Sequence, residues 1–311
     1  MNHERIVIER GRRTGLTIIV AVHSTERGQA IGGCRLKHYP DWRDGLTDAL
    51  RLSEAMTTKA ATAGLRNGGG KTVIVAPDGP FDRDDALRDA GDVIASLNGA
   101  YATGPDVGTG PADMDVIAER TEHVFCRPSR SGDPSEGTAA GTVAALRAVC
   151  AHLFGSPELA GRSFAVLGLG HVGSHLVRML AERHAKLIVS DIDPARRAVA
   201  EEYGATWTTP AECFAAEVDV LVPAALGGLL TPATVPVLRC AAVAGPANNQ
   251  LDAPGTADLL RERGILFAPD PIVSAGGIIH AVEIELHGAT AAEAAERVDQ
   301  VERTLANALQ G

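Results

Sequence analysis

Along the first 135 residues, short apolar runs alternate with longer segments whose apolar positions recur every three or four residues. The run at 16–24 (LTIIVAVHS) is β-branched and apolar throughout, which predicts a strand. Between Asp44 and Ala63, Leu46, Ala49, Leu50, Leu52 and Met56 keep helical spacing, which predicts a helix with Asp44 near its N-cap. Three glycines, 68–70, and Lys71 precede a predicted strand over 72–77 (TVIVAP). A second helix fits 82–97, opening on Asp82, and 98–109 (NGAYATGPDVGT) reads as a strand running into a Gly/Pro loop. A helix over roughly 111–121 and an apolar stretch at 124–126 complete this half. Alternating strands and helices are the pattern of an α/β domain.

Residues 127–137 (RPSRSGDPSEG) are rich in Pro, Ser and Gly and read as a linker. A helix from Thr138 to about His152 follows, and the alternation then becomes regular. Strands are predicted at 164–168, 186–191, 219–225, 241–245 and 265–269, and helices at 171–184, 195–203 and 256–263. Short apolar strands separated by helices predict a parallel sheet. The stretch 290–309, rich in Ala, Glu and Arg, predicts a closing helix. With 311 residues, the chain exceeds the ~250–300 at which one core stops growing, so two domains are expected. The break is placed at 134/135.

Composition narrows the classes. The chain is 45% hydrophobic and 22% charged, and its net charge of −10 lacks the basic face that nucleic-acid binding needs. No apolar run approaches the ~20 residues of a membrane span. The opening MNHERIVIERGRR mixes both charge signs with no apolar core, unlike a secretory signal. Cys34, Cys126, Cys150, Cys213 and Cys240 are odd in number and form no C-x-x-C pair, which fits free thiols in a reducing cytoplasm. No metal site is expected. His280, Glu283 and His287 share one helical face but lack a fourth ligand, and read as an ordinary helix face. Cys34 has no His/Asp arrangement to activate it and reads as a small buried thiol.

The segment GLGHVG sets Gly168, Gly170 and Gly173 in the G-x-G-x-x-G spacing, around His171 and Val172. Alone this is weak in a chain with 34 glycines. Here it follows an apolar strand, opens a helix, and is followed by a strand ending on Asp191, 18 residues past Gly173. Gly168 would permit the tight turn, Gly170 would admit a pyrophosphate, and Gly173 would allow close helix–strand contact. A carboxylate at Asp191 would accept hydrogen bonds from ribose hydroxyls and repel a 2′-phosphate. NAD is therefore expected over NADP, although Arg196 and Arg197 pull the other way.

Three residues of the first half carry candidate chemistry: Lys59 on the first helix, Lys71 after the glycines, and Asp106 in GPDVG. Burial would lower the pKa of an ammonium at Lys71, and a second lysine nearby would push the same way. A lysine so tuned can act as a general base. Taken singly, each lysine reads more readily as a solvated surface group, and the pattern only makes it a candidate.

The strings GGCRLKHYP, ALRLSEAMTTKAATAGLRNGGGKTVIV, YATGPDVGTGPADMD, FAVLGLGHVGSHLV, VAGPANNQL and FAPDPIVSAGGIIHAVE, in this order, resemble successive blocks of the glutamate/leucine/phenylalanine/valine dehydrogenase family. The resemblance covers nearly the whole chain. It implies an N-terminal substrate, catalytic and oligomerisation domain (1–134), against which a last helix at about 288–311 packs back, and a Rossmann NAD-binding domain (135–287). It implies NAD-dependent oxidative deamination of an L-amino acid to the 2-oxo acid and ammonia by a homo-oligomer. By the same resemblance Lys59 binds the substrate carboxylate, Lys71 activates water, and Asp106 shuttles a proton. Thr138, Ala224 and Asn248 lie near the cofactor, and Asn249 near the substrate head group.

A glutamate enzyme would need a cation just before the paired glycines, Gly32 and Gly33, but Ile31 stands there. The side-chain pocket implied by the resemblance comprises Ile31, Met56, Gly104, Ile278 and Ala281. The small Gly104 and Ala281 suggest a roomy pocket, so a phenylalanine-like substrate is expected first and valine or leucine second. A 2-hydroxy-acid or imine dehydrogenase, or a non-catalytic NAD-binding sensor, are the competing readings. Pro246 and Ser274 depart from the family pattern, as does Ala224.

Overall fold

The computed structural model describes residues 2–225, 227–253 and 255–310. It forms two compact units: the residues up to Asp133 with Ala281–Ala291, and Pro134–His280 with the residues from Ala292 onward.

The first unit is built from β1 (Arg5–Arg10), β2 (Thr17–Ser24), β3 (Ala30–His38), α1 (Trp42–Thr62), β4 (Gly68–Ala76), α2 (Arg83–Ala95), β5 (Tyr101–Pro105) and α3 (Pro111–Ala118). Its sheet runs β1-β2-β4-β3-β5, with β1/β2 and β2/β4 antiparallel and β4/β3 and β3/β5 parallel. Both faces are covered, so β2 is apolar without a break from Ile18 to Val22 instead of alternating. Ile18, Val20 and Val22 enter a core with Leu87 and Ile94 of α2 and Ile117 of α3. Ile19 and Ala21 pack with Val73 and with Ala49 of α1 on the opposite face.

Asp41 caps α1, its carboxylate accepting from the Arg43 amide at 2.8 Å, and Asp44 falls in the first turn. The predicted cap was therefore three residues late. Asp82 caps α2 as expected. The larger difference lies in β4. The glycines at 68–70 are part of the strand and not a turn before it. The neighbours come too close for side chains: a Cβ at Gly69 would lie 2.1 Å from the Thr57 amide nitrogen of α1, and one at Gly70 would lie 2.4 Å from the Tyr101 ring. Lys71 thus sits inside the sheet.

The second unit contains α4 (Pro134–Phe154), β6 (Ser163–Leu167), α5 (His171–Ala181), β7 (Lys186–Ser190), α6 (Arg197–Glu202), β8 (Thr206–Trp207), α7 (Pro210–Phe214) and β9 (Glu217–Pro223). It continues with β10 (Arg239–Val243), α8 (Thr256–Glu262), β11 (Leu266–Phe267), α9 (Asp270–Val273), α10 (Gly276–Glu285, whose last residues count with the first unit) and α11 (Ala291–Ala308). The sheet order is β11-β10-β9-β6-β7-β8, and every pair is parallel. By length and composition α4 could cross a membrane, contrary to the sequence reading, yet Ala139 and the run from Gly141 to Leu146 are buried in this unit. The last helix counts with the second unit. Glu302 of α11 pairs with Arg147 of α4 at 3.1 Å, and Val298 lies over Gly141.

One buried carboxylate ties the β1–β2 turn to α2. Asp89 is 1% exposed and accepts from the amides of Arg13 and Thr14, the Thr14 hydroxyl and the Arg13 guanidinium, all within 3.2 Å. Asp89→Ala would strand these donors, so we expect a loss of roughly 2–4 kcal/mol in a urea titration, since each buried unmet donor costs about 1–3 kcal/mol. An unchanged midpoint would show that the turn relaxes into water instead.

Candidate active site

Alternation along the strands decides which side chains meet. Gly69 faces α1, so Lys71 and Val73 of β4 face the same way. Ile31 is paired with Gly69 on one side and Ala102 on the other, which puts Ile31, Gly33 and Arg35 of β3, with Ala102 and Gly104 of β5, on that face too. The side chains of Ile31 and Lys71 are 0% and 4% exposed.

Lys71 Nζ lies 2.9 Å from Asp106 Oδ2. Burial lowers the lysine's pKa from its ordinary value; Asp106 opposes the shift and the nearby Arg35 reinforces it. Burial works against the Asp106 charge as well, but Lys71 and Arg35 outweigh it and hold the carboxyl below its usual range. The Asp106 loop is fixed from both sides. The Thr109 hydroxyl accepts from the Asp106 amide at 3.0 Å and donates to the Cys34 carbonyl at 2.7 Å. Gly108, at φ +81°, lets the chain turn against Leu36, where a Cβ would meet the Leu36 carbonyl at 1.9 Å. P-D-V-G-T is therefore a loop shaped to present one carboxylate.

The empty position at Gly33 completes the arrangement. A Cβ there would lie 2.6 Å from the Asp106 Cβ and 3.2 Å from Lys71 Nζ. At Gly32 a Cβ would collide with the Gly70 carbonyl. Lys59 and Met56 stand half-buried on α1, the helix that covers this face. Ile278 is half-buried and Ala281 buried on α10. Two residues were not singled out from the sequence. Arg35 Nε lies 2.7 Å from Asp106 Oδ2. The buried Phe125 ring fills the space beside Gly104, where a Cβ would lie 2.4 Å from it. The room expected at Gly104 is thus taken. Burial pushes the Cys34 thiol up to about 12, which leaves it no nucleophilic role near neutral pH.

In the second unit β6 leads through Gly168 (φ +106°) into α5. A Cβ at Gly173 would lie 2.0 Å from the Gly168 carbonyl oxygen, whereas Gly170, the helix N-cap, has open space around its Cβ position and no side-chain cap. A helix N-terminus with open space before it fits a pyrophosphate. His171 is exposed and Val172 half-buried at this helix start. Asp191 sits just past β7, one carboxylate oxygen accepting from the Leu169 amide at 2.6 Å and the other from the Asp193 amide at 2.8 Å. It braces the glycine turn as well as ending the strand. Ala224 adjoins Gly168, the Thr138 hydroxyl lies against Gly277, and Asn248 and Asn249 crowd Gly227. The Asn249 amide donates to Asp270 at 2.7 Å.

Residues 3–123 match the Glu/Leu/Phe/Val dehydrogenase dimerisation domain, and residues 189–308 match the Glutamate/Leucine/Phenylalanine/Valine dehydrogenase domain. The chain belongs to this family. It is an amino-acid dehydrogenase, an oxidoreductase acting on CH–NH2 groups, and the 2-hydroxy-acid reading is set aside. The chain is 42% identical over 306 residues to the leucine dehydrogenase of Geobacillus stearothermophilus, covering 96% of this chain and 83% of that one. It is 40% identical over 293 residues to the valine dehydrogenase of Streptomyces albus, covering 92% and 80%. The crystal structure of L-tryptophan dehydrogenase from Nostoc punctiforme superimposes with a TM-score of 0.88 at 37% identity, covering 98% and 88%.

In this dehydrogenase Gly33→Ala would press a methyl group into the Lys71–Asp106 pair. We expect turnover to fall at least about tenfold, with a stability loss of roughly 1–3 kcal/mol from overpacking. Steady-state rates and thermal unfolding, measured together, check this; parental kinetics would show that the pair tolerates displacement.

Proposed function

We propose that the chain catalyses NAD-dependent, reversible oxidative deamination of an L-amino acid with an apolar side chain. The observation that carries the reading is the buried Lys71, paired with the half-buried Asp106, on the same sheet face as the apolar Ile31. A distal substrate carboxylate against Ile31 would lose its solvation unpaired, at a cost on the order of several kcal/mol, so glutamate is rejected. Because Phe125 fills the space beside Gly104, we place leucine- and valine-sized side chains ahead of phenylalanine. The identities to leucine, valine and tryptophan dehydrogenases support an apolar side chain without ranking its size.

The cofactor is proposed to lie on the Gly168–Gly173 turn with its pyrophosphate at the start of α5, near His171 and Val172. Asp191 would hold the adenosine ribose, and Thr138, Ala224 and Asn248 would approach the nicotinamide end. Bound there, the nicotinamide would supply the hydride acceptor for the substrate Cα. Lys59 would anchor the substrate carboxylate, with Asn249 at the head group. Lys71, its pKa lowered by burial, would in its neutral form remove a proton from the water that adds to the imino carbon. Asp106 would carry protons between the substrate nitrogen, the new hydroxyl and Lys71. The match to a dimerisation domain supports a homo-oligomer, and five buried free thiols support a cytoplasmic setting.

The deciding measurement is NADH formation at alkaline pH across a panel of L-amino acids, then NADH consumption with 2-oxo acids, with and without ammonium. We expect apolar substrates to turn over, glutamate to fail, and consumption to require ammonium. Lys71→Ala should lose on the order of 10²–10⁴-fold in turnover while still quenching on titration with NADH; near-parental turnover would dismiss the lysine as base. Because burial lowers the Lys71 pKa, deamination should rise with pH through a limb below the ordinary lysine range. For side-chain size, Phe125→Ala should raise kcat/KM for phenylalanine relative to valine by about tenfold, in line with the worth of buried apolar groups. An unchanged substrate ranking would take Phe125 out of the pocket.

A further inference from the structure

The Asp106 carboxylate is not held by Lys71 alone. Its Oδ2 accepts from Lys71 Nζ at 2.9 Å and from Arg35 Nε at 2.7 Å, while its Oδ1 meets no donor among the described residues. The other end of the Arg35 guanidinium donates to Asp48 Oδ2 at 2.7 Å. Asp48 is fixed in turn by the Tyr39 hydroxyl at 2.8 Å and by Arg51 at 2.9 Å. A row of alternating charges therefore runs Arg51–Asp48–Arg35–Asp106–Lys71, from an exposed helix position into the buried face.

We propose that Arg35 is a positioning residue of the active site: it locks Asp106 Oδ2 against Lys71, leaving Oδ1 as the oxygen that exchanges protons with the substrate. This inference rests on the proposed roles of Lys71 and Asp106. A guanidinium suits the position because its planar fork reaches two carboxylates at once and stays charged at every pH the enzyme meets. Burial disfavours its charge, but Asp106 and Asp48 more than compensate and hold the arginine above its usual range. Lys71, by contrast, must lose a proton to act. A fixed cation beside it makes that loss easier and keeps Asp106 ionised once the lysine is neutral. The other groups that bear on Lys71 are Asp106 itself and the Cys34 thiol of β3, and α1 carries Lys59 over the same face.

The test uses Arg35→Gln and Arg35→Lys in the full-length enzyme, with kcat, KM and the pH dependence of deamination measured beside thermal unfolding. Removing the charge should let Lys71 keep its proton to higher pH. For Arg35→Gln the alkaline-going limb should therefore move up by about half a pH unit or more, and kcat should fall about 10–10²-fold with a smaller change in KM. Arg35→Lys keeps the charge but cannot span both carboxylates. Its limb should stay in place while kcat falls about tenfold at a near-parental melting temperature, which carries the test even if the glutamine variant fails to fold. Parental kcat in Arg35→Lys, or equal losses in both variants with no movement of the limb, would reduce the arginine to a structural part and overturn the proposal. Lys71→Ala separates the claims: turnover retained there sinks the base itself, whereas turnover lost there with Arg35→Gln unaltered sinks the arginine alone.

Discussion

The first unit is organised around one electrostatic constraint, an amine buried in the middle of a sheet. Lys71 lies on β4, between β2 and β3 and beneath α1. An isolated ammonium in such a place would deprotonate or draw in water. What keeps it useful is Asp106 at 2.9 Å, and the Asp106 loop keeps its shape through Thr109 and Gly108. The glycines serve the same end. Gly69 lets α1 close over the strand, Gly70 makes room for Tyr101, and Gly33 leaves empty the volume that the ion pair occupies. Each lowers the strand's intrinsic preference for β structure, and sheet neighbours on both sides supply the missing order.

What could be read from the chain alone follows from how local each signal is. The dinucleotide turn is a local object: strand, G-x-G-x-x-G and helix succeed one another within a dozen residues, and the structure has β6, the turn and α5 in that order. The caps of α1 and α2 are equally local, although with Asp41 and Asp44 both available the pattern of apolar residues could not choose between them. β3 was missed because AIGGCRLKH carries two glycines and three basic residues, which hide the alternation. Its strand character comes from β4 and β5 on either side and not from its own propensity. Arg35 fell with it. A cation in an unrecognised strand looks like any surface arginine until the partner carboxylates, 13 and 71 residues further on, are brought to it. Phe125 escaped for a similar reason, since only the packing shows that Gly104 is small for its sake.

The two glycine-rich sites solve different problems with the same residue. In the second unit Gly168 takes a backbone angle that other residues resist, and Gly173 lets helix meet strand. Gly170 differs, for nothing among the described residues comes near its Cβ position, and its value is the open space in front of a helix N-terminus. In the first unit the glycines at 69, 70 and 33 have ordinary backbone angles, and their contribution is volume alone. A sequence motif scores all of these alike. Only the surroundings separate glycine as hinge, as window and as vacancy.

Burying an ion pair is weak evidence of added stability, because an apolar pair of similar volume often serves the fold as well or better. The expense at Lys71 and Asp106 therefore points to chemistry. The same argument extends outward to Arg35, which is 14% exposed and commits both ends of its guanidinium to carboxylates when a surface arginine could remain mobile in water. A charge confined in that way orders its neighbours. It leaves one oxygen of Asp106 committed and the other without a donor among the described residues, an asymmetry that suits a carboxylate proposed to exchange protons through one oxygen.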